Sequence, residues 1–281
     1  IVSAPDLAAF AGALSDPALE GRVVGSQGID RAAEMIASRF EQARLRPGGD
    51  AGTWFQSFTP EAPRLADAVR LTSGAKWGAI TLRNVVGILP GTGDGCVIVG
   101  AHYDHLGRDE KGTVYPGADD NASGVAALCE VARSLASGPP LRRSVVFVAF
   151  SGEEAGLLGS QWYAEHPYLP LESAIAMINL DTVGRMENQR LLALSASSGM
   201  ELPDALRGIN LEYGFDLAVP EKGPFASDQV SFIGKGVPAV HLFTGPNADY
   251  HRTSDSAAKL DVEGLEQIAA FAAELTRFLA G

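Results

Sequence analysis

Short apolar runs alternate with stretches of helical spacing through the second half of the chain. The runs are typical of strands buried on both faces, and they occupy residues 97–101, 144–150, 175–180, 191–194 and 237–243. Helical spacing follows at residues 121–135, 157–164, 202–209 and 262–279. This rhythm predicts an α/β fold, a three-layer α/β/α sandwich around a mixed, mostly parallel sheet.

The first half is less regular. Helical spacing marks residues 7–14 and 29–45, and alternation predicts strands at 54–59, 69–72 and 84–89. A glycine-rich stretch at residues 91–95 lies between two strands. A phosphate-binding loop would instead precede a helix, so we interpret this stretch as a hairpin turn. No linker or repeat interrupts the chain, which predicts one domain over residues 1–281.

Charge and cysteine content narrow the classes of function. The 281 residues carry 22 Lys and Arg against 34 Asp and Glu, a net charge of −12. This balance argues against binding to nucleic acid or to an anionic membrane surface. No apolar run approaches the ~20 residues that span a bilayer. Two cysteines, Cys96 and Cys129, are too few for a disulfide framework, and we expect buried free thiols.

Candidate metal ligands lie where the predicted strands end. They are His102, Asp119, Glu153, Glu154, Asp181 and His251. Parallel strands gather their carboxyl ends into one crevice, so residues far apart in sequence meet there. Imidazole and carboxylate ligands without thiolate suit a catalytic zinc pair rather than a structural zinc site.

Each of these signals has a simpler interpretation when taken alone. The aspartates at 119 and 120 precede a helix and could cap it, and the two glutamates could form a solvated acidic turn. The histidines could be surface residues. A metal-binding histidine, however, usually donates its second N–H to a carboxylate, and Asp104 is placed to accept from His102. The combination is therefore far more specific than its parts.

Sequence motifs around these candidate ligands, and others in a fixed order along the chain, extend the evidence over nearly its whole length. They are LEGRVVGSQG from Leu19, HYDHLG from His102, PGADDNASG from Pro116, FSGEEAGLLGS from Phe150, NLD from Asn179, ASD from Ala226 and DYHRTSD from Asp249. Together they resemble the zinc-dependent aminopeptidases with two co-catalytic metals. That family also contains glutaminyl cyclases and receptor-like relatives.

The resemblance implies a role for each candidate residue. Asp119 would bridge two zinc ions, with a cis peptide at the step from Asp119 to Asp120. Glu154 and His251 would complete one zinc site, and His102 and Asp181 the other. Glu153 would act as general base, and Asp104 would orient His102.

The resemblance also implies the substrate. We expect peptides with a free N-terminus and an apolar first residue. Tyr250 would stabilise the oxyanion, and Phe225 and Phe243 would form apolar walls. No protease-associated domain is inserted between Trp77 and Asn84. We also expect the protein to be a monomer that is secreted or periplasmic, with its signal peptide removed.

Two other functions remain open at this point. One is a glutaminyl cyclase, an acyltransferase that works with a single zinc ion. The other is a non-catalytic, receptor-like binding domain. The full set of ligands favours the aminopeptidase over both.

Overall fold

The computed structural model describes residues 2–61, 69, 71, 75–220 and 226–281. Seven α-helices lie in these ranges. They are α1 (Ala4–Leu14), α2 (Gln27–Gln42), α3 (Gly124–Ala136), α4 (Leu158–Glu165), α5 (Leu202–Tyr213), α6 (Gln229–Ile233) and α7 (Val262–Ala280). Side-chain caps fix where α2 and α7 begin, because the Ser26 side chain accepts from the Ile29 N–H and the Asp261 side chain accepts from the Gly264 N–H.

Nine strands of the described ranges form a single mixed sheet. They are β1 (Arg46–Pro47), β2 (Phe55–Phe58), β3 (Leu82–Leu89), β4 (Cys96–His102), β5 (Ser144–Phe150), β6 (Ala174–Leu180), β7 (Arg190–Leu194), β8 (Asp216–Ala218) and β9 (Ala239–Phe243). Their order is β1-β3-β5-β4-β6-β9-β7-β8, and β2 also pairs with β3.

Four neighbouring strands at the centre run in parallel. β5 pairs with β4, β4 with β6, and β6 with β9, all in the same direction. β3 and β7 flank this group in the opposite direction. The four parallel strands therefore end at one edge of the sheet, where an open α/β protein binds its ligand.

Helices cover both faces of the sheet. α1, α2, α3, α5 and α7 pack together against one face, while α4 and α6 pack together on the other. Two apolar clusters fill the spaces between these layers, one under each helical layer. The three-layer α/β/α prediction is confirmed. Cys96 and Cys129 are buried and free, as expected.

The predicted hairpin at residues 91–95 is wrong. β3 and β4 follow each other in sequence but do not pair, because β5 lies between them. β5 pairs with β3 in antiparallel orientation on one side and with β4 in parallel orientation on the other. The glycine-rich turn therefore leads the chain past a neighbouring strand rather than folding it back on itself.

Most other predicted elements appear with shifts of a few residues. The predicted strand at 54–59 appears as Phe55–Phe58, and the helix at 121–135 begins later, at Gly124. The predicted strand at 69–72 falls partly outside the described residues, and Val69 and Leu71 lie in no strand. None of the described helices is long and apolar enough to cross a membrane.

Candidate metal centre

The four central strands bring the predicted residues to one edge of the sheet. His102 is the last residue of β4, and Asp181 directly follows β6. The turn after β5 carries Glu153 and Glu154, and the loop after β9 carries His251. Side chains separated by up to 149 positions in sequence (from 102 to 251) therefore meet in one place.

Asp120 lies at the centre of this cluster. Its Oδ1 atom lies 3.3 Å from His102 Nε2, and its Oδ2 atom lies 3.1 Å from His251 Nε2. His102 Nε2 is also 3.3 Å from Asp181 Oδ1, and His251 Nε2 is 3.3 Å from Glu154 Oε2. One carboxylate thus faces two groups of ligands, one through each oxygen.

The prediction that Asp119 bridges the two groups is wrong in this structure. The Asp119 side chain turns away and accepts hydrogen bonds from the Gly184 N–H at 2.7 Å and from Asn247 Nδ2 at 2.8 Å. The cis peptide is likewise one residue further on, at Asp120–Asn121. Two adjacent aspartates at a turn point in different directions, and their sequence alone does not show which one faces inward.

The electrostatics distinguish the two aspartates further. Burial raises the pKa of Asp119 to about 8. Burial also opposes ionisation of Asp120, but hydrogen bonds from His102 and His251 hold its pKa well below the usual value. Asp120 is therefore the ionised carboxylate at the centre, whereas Asp119 is a buried acid bonded to two loops.

Asp104 connects His102 with the paired glutamates. Its backbone oxygen lies 3.3 Å from His102 Nδ1, and the nearer carboxylate oxygen is 3.7 Å away. The carboxylate accepts from the backbone N–H groups of Glu153 at 3.0 Å and of Glu154 at 3.2 Å. Asp104 therefore lies against His102 through its backbone oxygen, while its carboxylate fixes the turn that carries the glutamates.

Glu153 differs from its neighbour Glu154. Burial raises the pKa of Glu153 well above its usual value. The pKa of Glu154 is lowered, although burial and the nearby Asp120 oppose this; the hydrogen bond with His105 is the largest favourable cause. One glutamate therefore holds a proton readily and the other remains charged, which suits a proton-transfer group beside a ligand.

His105 belongs to the site, although its sequence surroundings favour a structural or supporting residue rather than a metal ligand. Its Nδ1 atom lies 2.7 Å from Glu154 Oε1, and its ring meets the His251 ring edge-on at 6.0 Å. His105 Nε2 is buried and has no hydrogen-bond partner in the described part of the chain. In the sequence, the paired glutamates after β5 were the feature that indicated a histidine partner for one of them.

A pocket of about 140 Å³ opens beside this cluster. His102, Asp120, Glu153 and Asp181 line one part of it, and the remainder is lined by Thr182, Ala226, His241, Phe243, Pro246 and Tyr250. Two of the three predicted substrate-binding residues, Phe243 and Tyr250, therefore lie at the pocket. Phe225 lies outside the described residues.

The donor set fits divalent metal ions. Two groups of three side chains place their ligand atoms within 4.8 Å of one another: His102, Asp120 and Asp181, and His105, Asp120 and Glu154. Asp120 belongs to both groups, and His251 contacts the second. Buried carboxylates at this density require countercharge, and imidazole with carboxylate is a typical donor set for catalytic zinc.

Comparison with known proteins identifies the family. Residues 84–276 match the sequence profile of Peptidase family M28. The chain belongs to this family. The match covers the four central strands and all the residues of the candidate centre described above.

Several curated proteins are similar to this chain. Aminopeptidase YwaD of Bacillus subtilis is 33% identical over 182 residues, which are 61% of this chain and 38% of YwaD. A probable leucine aminopeptidase of Arthroderma otae is 28% identical over 213 residues, 71% of this chain and 58% of that protein. The chain thus spans only about two fifths to three fifths of these relatives.

Solved structures share the fold. The zinc aminopeptidase BSAP from Bacillus subtilis superposes with a TM-score of 0.77 at 21% identity, covering 99% of this chain and 95% of that one. A glutaminyl cyclase from Porphyromonas gingivalis superposes with a TM-score of 0.79 at 20% identity, covering 99% of both chains. At these identities the likeness confirms the α/β fold and does not separate the two activities.

Proposed function

We propose that the protein is a metalloaminopeptidase that removes the N-terminal residue from peptides with the help of two zinc ions. The observation that carries this proposal is the position of Asp120, whose two oxygens face His102 and His251 respectively. We assign Asp120 as the ligand shared by both ions. His102 and Asp181 would hold one zinc ion, and Glu154 and His251 the other.

The residues around this centre have separate tasks in the proposed reaction. Bound zinc would supply Lewis-acid chemistry at the scissile carbonyl and lower the pKa of the attacking water. Glu153 lines the same pocket and holds a proton readily, so it would take a proton from that water and pass it to the leaving amine. Asp104 keeps Glu153 in place through the backbone.

The pocket supports an apolar first residue. Its volume of about 140 Å³ resembles cavities of ~150 Å³ that take up a benzene ring. Phe243 is buried, and Tyr250 stacks on His251 with ring centroids 3.9 Å apart. Two faces of the pocket thus differ, with ionised groups for a free amino group on one and apolar walls for a side chain on the other.

Hydrolysis of aminoacyl-p-nitroanilides after metal removal tests the proposal. We expect the leucyl compound to be cleaved, activity to disappear with a chelator, and zinc to restore it. Elemental analysis should give about two zinc ions per folded chain. The N-acetylated leucyl compound is the control and should not be cleaved, since it has no free amino group.

Other outcomes would redirect the assignment. Cyclisation of an N-terminal glutamine with one zinc per chain would identify a glutaminyl cyclase instead. No turnover across a panel of N-terminal residues, with zinc bound, would favour a binding domain. Secretion and a monomeric state remain proposals that separate measurements must test.

A further inference from the structure

One buried cation lies behind the candidate metal centre. Arg22 has a relative exposure of 1%, and among the described residues it is the only buried Lys or Arg. Burial lowers its pKa to about 10, so it stays protonated at neutral pH. A buried charge of this kind is retained only where it is well paired with hydrogen-bond acceptors.

The backbone turns sharply to bring Arg22 inward. Glu20, Gly21 and Arg22 follow one another with φ values of 55°, 64° and 47°. A Cβ atom at Gly21 would lie 2.3 Å from the Gly107 oxygen, so only glycine fits there. This conformation fastens residues 20–22 to the loop after β4, where the Gly107 N–H donates to the Gly21 oxygen.

The guanidinium group binds the loop that carries His102. Arg22 Nε donates to the Tyr103 oxygen at 2.8 Å, between His102 and Asp104. The backbone oxygen of Arg22 accepts from the His105 N–H at 3.2 Å. Arg22 therefore holds the chain on both sides of Asp104.

The same group also binds the turn that carries Asp120. Arg22 Nη1 donates to the Pro116 oxygen at 2.8 Å, and Nη2 donates to the Gly117 oxygen at 2.9 Å. A fourth bond joins Nη1 to the Leu14 oxygen at the end of α1, at 2.6 Å. One planar fork thus spans two ligand-bearing segments and a helix end.

We propose that Arg22 is a positioning residue that holds residues 102–105 and 116–120 in the arrangement that binds metal. The inference rests on the proposed metal centre. Without Arg22 these segments, which carry Asp104 and Asp120, would lose the side chain that binds both of them and would move apart under charge repulsion. Metal affinity, and not only stability, would then fall.

The geometry explains why no other side chain can replace it. Arginine offers five N–H donors in a rigid plane, and four hydrogen bonds from that plane reach widely spaced carbonyls. Lysine keeps the charge but concentrates its donors on one nitrogen. Methionine keeps much of the length without charge or donors. Comparing the two therefore separates positioning from countercharge.

Zinc affinity of the folded protein tests the proposal. We expect Arg22→Lys and Arg22→Met each to weaken zinc binding at least ~10-fold in competition with a chelator, as losses of supporting contacts commonly do. Excess free zinc should restore most of the lost activity. Ile36→Ala, a core variant in α2, should lower the melting temperature but keep zinc affinity within about twofold, because it leaves the hydrogen bonds from Arg22 to both segments in place.

Distinct results would overturn the inference. A zinc affinity within threefold of wild type in Arg22→Lys would assign Arg22 a purely structural role. Tighter zinc binding in Arg22→Met, with Arg22→Lys unchanged, would show that only its charge matters. If the wild-type protein bound no zinc at all, the proposed function would fail instead.

A measurement on the wild-type protein avoids the problem of a variant that does not fold. If Arg22 holds the site, the His105 N–H, which donates to the Arg22 oxygen, should remain protected from hydrogen exchange after zinc removal. Rapid exchange of this amide in the metal-free protein, with the central strands still protected, would contradict the proposal.

Discussion

Two cavities on this molecule differ in what surrounds them. A groove of about 550 Å³ lies between α5 and α7, where Met200 is 97% exposed and Phe278 is 62% exposed. The pocket beside Asp120 has about a quarter of that volume. Only the smaller one gathers side chains from four strand ends. Converging polar groups, rather than volume or apolar surface, thus mark the functional site.

Removing Asp120 should show the largest functional difference between the two cavities. Asp120→Ala removes the shared ligand, and we expect zinc to be lost and kcat/KM to fall about 10⁴-fold, since metal stabilisation is worth several kcal/mol. The matched control is Asp119→Ala. It should keep zinc and lower the free energy of unfolding by about 1–3 kcal/mol, because the buried Gly184 N–H and the half-buried Asn247 amide lose their acceptor. Zinc loss in Asp119→Ala with none in Asp120→Ala would reverse the assignment.

Glu153→Gln comes next in size. The amide cannot accept and return a proton, so we expect a fall of about 10³-fold in kcat with both metal sites intact. Steady-state kinetics together with zinc analysis of the same sample measure the two effects. Full activity in this variant would mean that another group moves the proton.

His105→Ala should have a smaller effect. His105 contacts Glu154, and loss of such a supporting contact commonly weakens metal affinity by about 10- to 100-fold. Competition with a chelator measures this change. His166→Ala is the control, since His166 stacks on Trp162 away from the centre, and its zinc affinity should match that of wild type. Equal affinities in both variants would remove His105 from the site.

The groove between α5 and α7 should give the smallest effect. Phe278→Ser changes a side chain that is largely exposed, so we expect stability within about 0.5 kcal/mol of wild type. Its kcat/KM should stay within about twofold on a leucyl substrate. A large loss of kcat/KM with normal folding would show that the groove takes part in catalysis.

The sequence was sufficient to predict the four central parallel strands and the residues that follow them. Buried apolar runs have a period and length that separate them from helices, and parallel strands leave little choice about where their ends meet. His102, Asp181 and the paired glutamates could be found in this way. The α/β architecture followed from the same alternation.

Three features depended on tertiary structure and could not be predicted. The choice between Asp119 and Asp120 depends on how one turn directs adjacent side chains. The hairpin prediction at residues 91–95 was wrong because β5, which begins 42 residues after β4 ends (Ser144 against His102), inserts between β3 and β4. His105 was not among the predicted metal ligands because no carboxylate near it in sequence supports that role, whereas its partner in the structure, Glu154, follows a different strand.

The anchoring of the site by Arg22 has a practical consequence for anyone shortening this chain. The M28 profile begins at residue 84, whereas Arg22 and the α1 carbonyl it binds lie well before that point. A fragment trimmed to the profile boundaries would keep every proposed zinc ligand and still lack the support beneath two of them. Expression clones should therefore retain the leading helices.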